Sequence, residues 1–242
     1  MPICPKCKGY YVSPPCPTCS KLAEAEAGVE DAAPIETAQS AIEIDDAFFK
    51  TGKTFRQLLG LDNTRIAEYK ANFEKVQLKA DEMEFFKKRL EQEIRVLAIV
   101  DPGCDDCVQY IPVMAKIASL TDKIKLRAFL KSEYPQLLRK FTLAGTERIP
   151  VLVFYSKELE EYGRWIECPL ETYELLISVK EALMDNAEVK KEFARMRVEQ
   201  EERLLSAAAS EMTAILMKIN ALLVLNDLFA SKSSLKEEEE FS

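Results

Sequence analysis

The chain has 242 residues, 33 Lys and Arg against 41 Asp and Glu, seven Cys and no His. Without imidazole there is no Ser-His-Asp or Cys-His nucleophile pair, no histidine proton shuttle and no Cys2His2 zinc site. A formal charge of -8 argues against general nucleic-acid binding, which needs a basic face to displace phosphate counterions.

Met1 to Tyr11 lack the basic-then-apolar pattern of a secretory signal. Cys4-Pro5-Lys6-Cys7 and Cys16-Pro17-Thr18-Cys19 are two CxxC pairs with eight residues between them. Each can turn tightly enough to aim two thiolates at one cation, so Cys4, Cys7, Cys16 and Cys19 are expected to form a closed tetrahedral site for a structural Zn(2+). Metal binding would then fold a segment, residues 1–20, that is too short to bury a core. Redox-active or oxidised CxxC units are the alternative. Such a zinc ribbon has little positive charge here, which favours protein docking. Residues 21–53 are Ala- and Glu-rich, with Gly28 and Pro34, and read as a linker. At their end Thr51-Gly52-Lys53-Thr54 finishes like a phosphate-binding loop, but the glycine such a loop requires is Ala47. Lys53 therefore reads as a solvated residue before a helix capped by Thr51 or Thr54.

From Thr54 to Leu90 apolar residues recur at helical spacing, which predicts two or three helices with a break at Gly60 to Thr64 and Thr64 as a possible cap. The centre alternates. Arg95 to Val100 reads as a buried strand, Cys104 to Leu120 as a helix, Ile124 to Leu130 as a strand, and Ser132 to Phe141 as a helix capped by Ser132. Val151 to Tyr155 and Gly163 to Ile166 can pair as a hairpin, and a helix starts at Leu170. This order predicts an α/β fold, a mixed sheet with helices on both faces. Leu170 to Ser242 contain neither Gly nor Pro and read as helix almost throughout. Residues 54–185 would form the main domain and 186–242 a helical extension with an acidic tail. The stripe Leu205, Ala208, Met212, Ile215, Ile219 and Leu222 either packs on the chain itself or forms a homodimer seam. No window of about 20 residues looks apolar enough to span a bilayer. The best, Ala214 to Phe229, is interrupted by Lys218, Asn220, Asn226 and Asp227. A soluble, cytoplasmic protein with no membrane partner is expected, in which cysteines serve as ligands and catalysts more than as structural disulfides.

Cys104-Asp105-Asp106-Cys107 follows the first strand and opens a helix. A thiol there meets unpaired N–H groups and the positive end of the helix dipole, which stabilise its thiolate. A second thiol one turn on can resolve a mixed disulfide. The negative charge of Asp105 and Asp106 opposes the Cys104 thiolate and partly cancels the helix-end effect, which predicts a disulfide that is hard to reduce. Metal binding by this segment, or a relic pair on a binding scaffold, are the alternatives. Cys168, the odd cysteine, reads as a buried structural thiol, and Trp165 as packed in the hairpin.

Over roughly Arg95 to Asp185 the sequence resembles the thioredoxin superfamily, in a divergent branch found mainly in prokaryotes. The resemblance is carried by the strand Val96 to Val100, the Cys104/Cys107 pair, Pro112 in the following helix, and Ile149-Pro150 ahead of a hairpin and a helix. It implies a cis Ile149–Pro150 bond against the cysteine pair. It also implies Cys104 as the attacking thiol, Cys107 as the resolving one, and a groove in which Ile149 pairs with an extended substrate. The partners implied are a protein disulfide substrate and a thiol electron donor. The sequence departs from the family in having Gly103 rather than Trp before the first Cys, Asp105-Asp106 rather than Gly-Pro, and Ala98 where a buried acid is usual. A proton acceptor for Cys107 is therefore either missing or supplied by Asp106 or Asp101. The competing function is a non-catalytic adaptor assembled through the ribbon and C-terminal helices.

Overall fold

The computed structural model describes residues 42–61, 64–182 and 185–240. Cys4, Cys7, Cys16 and Cys19 lie outside them. Among the described residues four short helices precede the sheet: α1 (Asp46–Thr51), α2 (Phe55–Leu58), α3 (Ile66–Lys75) and α4 (Ala80–Glu84), the last running into a π-helical turn over Phe85–Arg89. Asp45 caps α1 through its side chain. Thr54, one of the two expected caps, closes a reciprocal box with Gln57 at the start of α2. Thr64 does not cap α3: Arg65 holds that position without a side-chain cap bond.

The apolar run gives β1 (Ile94–Val100), followed by α5 (Asp105–Ala118), β2 (Ile124–Leu130), α6 (Pro135–Lys140), β3 (Val151–Tyr155) and β4 (Glu161–Ile166). The sheet order is β2-β1-β3-β4. β1 and β2 are parallel, with Ala98 opposite Ala128, and the other two pairings are antiparallel. The α/β reading holds: a mixed sheet with helices on both faces. Alternation along β1 divides the core. Val96, Ala98 and Val100 pack with α5 on one face, while Leu97 and Ile99 pack with Phe49, Leu137, Leu138 and Phe141 on the other.

Two local expectations need correction. Ser132 does not cap α6. The chain leaving β2 first makes a turn in which Glu133 N and Tyr134 N both donate to Leu130 O, so the helix begins at Pro135 with Tyr134 at the cap. Lys53 is more than a solvated residue. Its backbone exchanges two hydrogen bonds with Ala128 (2.8 and 2.7 Å), covering the free edge of β2, and its Nζ pairs with Glu133 at 3.0 Å. Gly52 permits this approach, because a Cβ there would lie 2.6 Å from the Phe129 ring. The glycine thus serves packing, and residues 46–53, within the span read as linker, are part of the folded unit.

The glycine-free C-terminal region forms α7 (Leu170–Ala182), α8 (Asn186–Glu199) and α9 (Glu201–Glu240). The stripe on α9 splits. Leu204, Leu205, Ala208, Ala209, Met212, Leu216 and Ile219 are buried in the same cluster as α5, whereas Leu222, Leu225, Leu228 and Phe229 are exposed. Polar ties fix the buried half. Glu211 accepts from Trp165 Nε1 (2.7 Å) and Leu170 N (2.8 Å), Ser210 donates to buried Glu82 (2.8 Å), and Asn220 accepts from Glu91 N (2.9 Å). Glu201–Ala230 nevertheless contains an 18-residue stretch of mean hydropathy 1.5, long and apolar enough to cross a membrane by length and composition alone. The expectation of no such window was therefore wrong, because the polar interruptions are too few to lower the average. The buried face shows where much of that apolar content goes.

Candidate functional site

β1 ends at Val100, and the next four residues set the position of the first thiol. The Asp101 carboxylate accepts from Gly103 N (2.9 Å), and Cys104 N donates to Asp101 O (3.0 Å). This turn delivers Cys104 to the N-cap of α5 in an extended conformation, with no side-chain cap bond. A thiol thus stands where a Ser or Asp would usually accept from the first turn. Cys104 is half-buried and Cys107, one turn on, is completely buried. Asp101 N donates to Cys107 Sγ (3.4 Å), and Cys104 Sγ lies 3.9 Å from Ile149 O. The Ile149–Pro150 bond is cis, as the resemblance implies. The structure brings Cys104, Cys107, Ile149 and Pro150 together from two distant stretches of chain.

The two thiols differ in acidity. A hydrogen bond from the Cys107 thiol holds the Cys104 pKa down at about 7, against the cost of burial. The Asp106 carboxylate pushes the other way, as its charge requires, and is outweighed. Burial holds Cys107 well above the ordinary thiol range, and the charge on Cys104 adds to this. Asp101 turns its carboxylate to Gly103 N, and it is its backbone N–H that reaches Cys107. Ala98 is fully buried in β1, so no acid occupies the strand at that position.

Neither aspartate between the cysteines stands alone. Arg65 Nη1, at the start of α3, donates to Asp105 Oδ1 (2.6 Å) and to Gly103 O (3.1 Å). Arg197 Nη2, on α8, donates to Asp106 Oδ1 (2.8 Å) and also bonds Gln109 Oε1. Burial raises the Asp106 pKa, opposed by the Arg197 charge. An open cleft of about 410 Å³ lies between α3, α5 and α8, lined by both arginines, Asp105, Val108 and Phe193 among others. The sequence reading missed these arginines. Two carboxylates at one helix start do call for countercharge, but the partners lie 40 and 91 positions away.

Pro112 falls inside α5 and cannot donate to the carbonyl of Val108. Buried Asn72 on α3 donates to that carbonyl instead, at 3.0 Å. Cys168 is buried as expected, and burial pushes its thiol up to about 12. Trp165 is buried and stacks edge-on against Tyr110. Among the described residues no group of three or more Cys, Asp and Glu side chains is placed to hold a metal ion.

A family profile described as thioredoxin matches residues 52–183, more than half of the chain. The chain belongs to the thioredoxin family, and its fold is the thioredoxin-like one derived above. Solved structures share that fold, two of them as follows. One is a protein of unknown function from Pseudomonas aeruginosa, 19% identical, with a TM-score of 0.55 over 73% of this chain and 99% of the other. The second is an HIV epitope scaffold, also 19% identical, with a TM-score of 0.55 over 72% of this chain and 99% of its own. No curated protein matches the sequence.

Proposed function

We propose that this protein is a thiol-disulfide oxidoreductase that reduces disulfides in proteins. The observation that carries the reading is the unequal pair at the start of α5: a half-buried thiol with its pKa at about 7, and a buried one whose pKa is raised. Only a thiolate attacks a disulfide, and only a partner that stays protonated leaves the first attack to its neighbour.

In this mechanism the Cys104 thiolate attacks one sulfur of the substrate disulfide. A Cys104–substrate S–S bond forms, the substrate S–S bond breaks, and the second substrate sulfur departs as a thiolate. Cys107 then attacks Cys104 Sγ, forming the Cys104–Cys107 disulfide and expelling the first substrate sulfur. The proton leaving Cys107 ends on a departing substrate sulfur. Two electrons have passed to the substrate, and an external dithiol or thiol donor returns the pair to the reduced state. Ile149 and Pro150 border the thiol where an extended substrate backbone would lie.

The test is a trap. Full-length Cys107→Ser, incubated with a disulfide-bonded protein such as insulin, should accumulate a mixed disulfide at Cys104, readable as added mass on that peptide. Cys104→Ser should accumulate none. A Cys107→Ser chain that remains unmodified at Cys104 overturns the reading and leaves the adaptor function. A structural Zn(2+) on Cys4, Cys7, Cys16 and Cys19 is a separate proposal that rests on spacing alone. One zinc per chain by elemental analysis supports it, and metal-free protein contradicts it.

A further inference from the structure

The two residues between the cysteines are both acidic, and negative charge beside an attacking thiol works against its thiolate. The structure meets each acid with an arginine from outside the strand-and-helix unit that carries the cysteines: Arg65 on α3 for Asp105 and Arg197 on α8 for Asp106. We infer that Arg197, with Arg65 in a lesser part, is a positioning residue that neutralises and orients the acidic motif so that Cys104 keeps a stable thiolate. The inference rests on the exchange reading above and names which residues outside the motif set its reactivity.

Burial decides the ranking. The side chains of Arg197 and Asp106 are 17% and 22% exposed, so solvent screens their pairing little. Asp105 is 77% exposed against 25% for Arg65, so the second pair acts mainly as a tether. Arg65 also holds Gly103 O, the residue before the thiol, and so ties the approach to Cys104 onto α3. Arg197 also grips Gln109 and fixes where the Asp106 carboxylate points.

The groups facing the site give the sign. Negative charge comes from Glu68 on α3, Asp101 in the turn after β1, Asp105 and Asp106 on α5, and Glu167 in the loop after β4; positive charge comes from Arg65, which Glu68 shares with Asp105, from Arg197, and from Arg148, which pairs with Glu167. Tyr69 on α3, Tyr110 and Cys107 on α5, and Cys168 after β4 are held neutral by burial, each with its pKa raised. The carboxylates already outnumber the arginines. Removing Arg65 or Arg197 leaves a further negative charge uncompensated, which destabilises a neighbouring thiolate.

The experiment reads alkylation of Cys104 by iodoacetamide against pH in the reduced, full-length chain, resolved to the Cys104 peptide by mass spectrometry. Arg197→Gln should raise the midpoint by about one unit from its value near 7, slowing alkylation at pH 7 by roughly fivefold. Above both midpoints that change is tenfold in the exchange equilibrium, about 30 mV toward a disulfide harder to reduce. Arg197→Lys, which keeps the charge, should stay near wild type. Asp106→Asn should lower the midpoint, and Arg197→Gln should shift it far less in that background. Arg65→Gln should move it by a smaller amount than Arg197→Gln. A folded Arg197→Gln chain with an unmoved midpoint overturns the inference, as does an equal shift with and without Asp106. If Arg197→Gln does not fold, an unmoved midpoint in Asp106→Asn overturns it alone. Alkylation needs no disulfide substrate, so a chain that titrates as described but exchanges nothing sinks the redox reading and leaves this inference standing.

Discussion

Cys104 and Cys107 carry the same side chain one helical turn apart, and position alone separates their acidities. Cys104 sits at the helix start with a thiol donor beside it, whereas Cys107 is buried among apolar groups. Alkylation of Cys104 should therefore rise with pH through about 7 and then level off, while Cys107 stays unreactive over the same range. The stability of the reduced chain follows with a definite sign. The folded pKa of Cys104 is below its unfolded value, so its contribution is fully present above the unfolded pKa and is lost as pH falls through about 7. Asn72 gives a second residue-scale test. Asn72→Leu leaves the Val108 carbonyl buried without a donor, at a cost of about 1–3 kcal/mol in denaturant unfolding. Replacing Pro112 with Ala restores an N–H to α5, so the same Asn72→Leu change should cost less in that background. An equal cost in both would show that Asn72 serves some other role. The cysteine pair and Pro112 were visible in the sequence. The Asn72 bond was not, because nothing local marks which polar residue will lie against a carbonyl 36 positions away.

The elements that sequence pattern identified best are the ones whose pattern has one physical meaning. Val151 to Tyr155 is a short apolar run, buried throughout, and Ile124 to Leu130 is a short run rich in apolar residues; both strands have the limits read from the sequence. Errors arose where tertiary bonds compete with local preference. Ser132 is a good capping residue in isolation, but the turn off β2 claims the backbone around it. The broad stripe on α9 was ambiguous for a similar reason: periodicity shows that a face is apolar and not what covers it. Its buried half packs with α5, so Leu216→Ala should cost about 2–5 kcal/mol. Leu228→Ala, at an exposed position, should lie within about 0.5 kcal/mol of wild type in the isolated chain. Equal and small effects at both positions would contradict the packing seen for Leu216.

At the scale of the whole molecule, helices before and after the family's strand-and-helix unit are built into its candidate site. α3 supplies Asn72 and Arg65, α8 supplies Arg197, and α9 covers the α5 side of the sheet. The sequence divided α8 and α9 from the main domain, because the chain there is glycine-free and charged, whereas α3 falls within it. Packing ignores that division. The acidic motif is met by one charge from the start of α3, inside the family match, and one from α8, beyond it, so the C-terminal extension contributes to the candidate site. The most direct measurement is turnover of protein disulfides: full-length wild type, Cys104→Ser and Cys107→Ser compared for reduction of insulin with dithiothreitol as the electron donor. Wild type should accelerate the reduction well above the donor alone, and both variants should lose that acceleration. A wild-type chain no faster than the donor, or a Cys104→Ser chain as fast as wild type, would contradict the assignment of Cys104 and Cys107 as an exchanging pair.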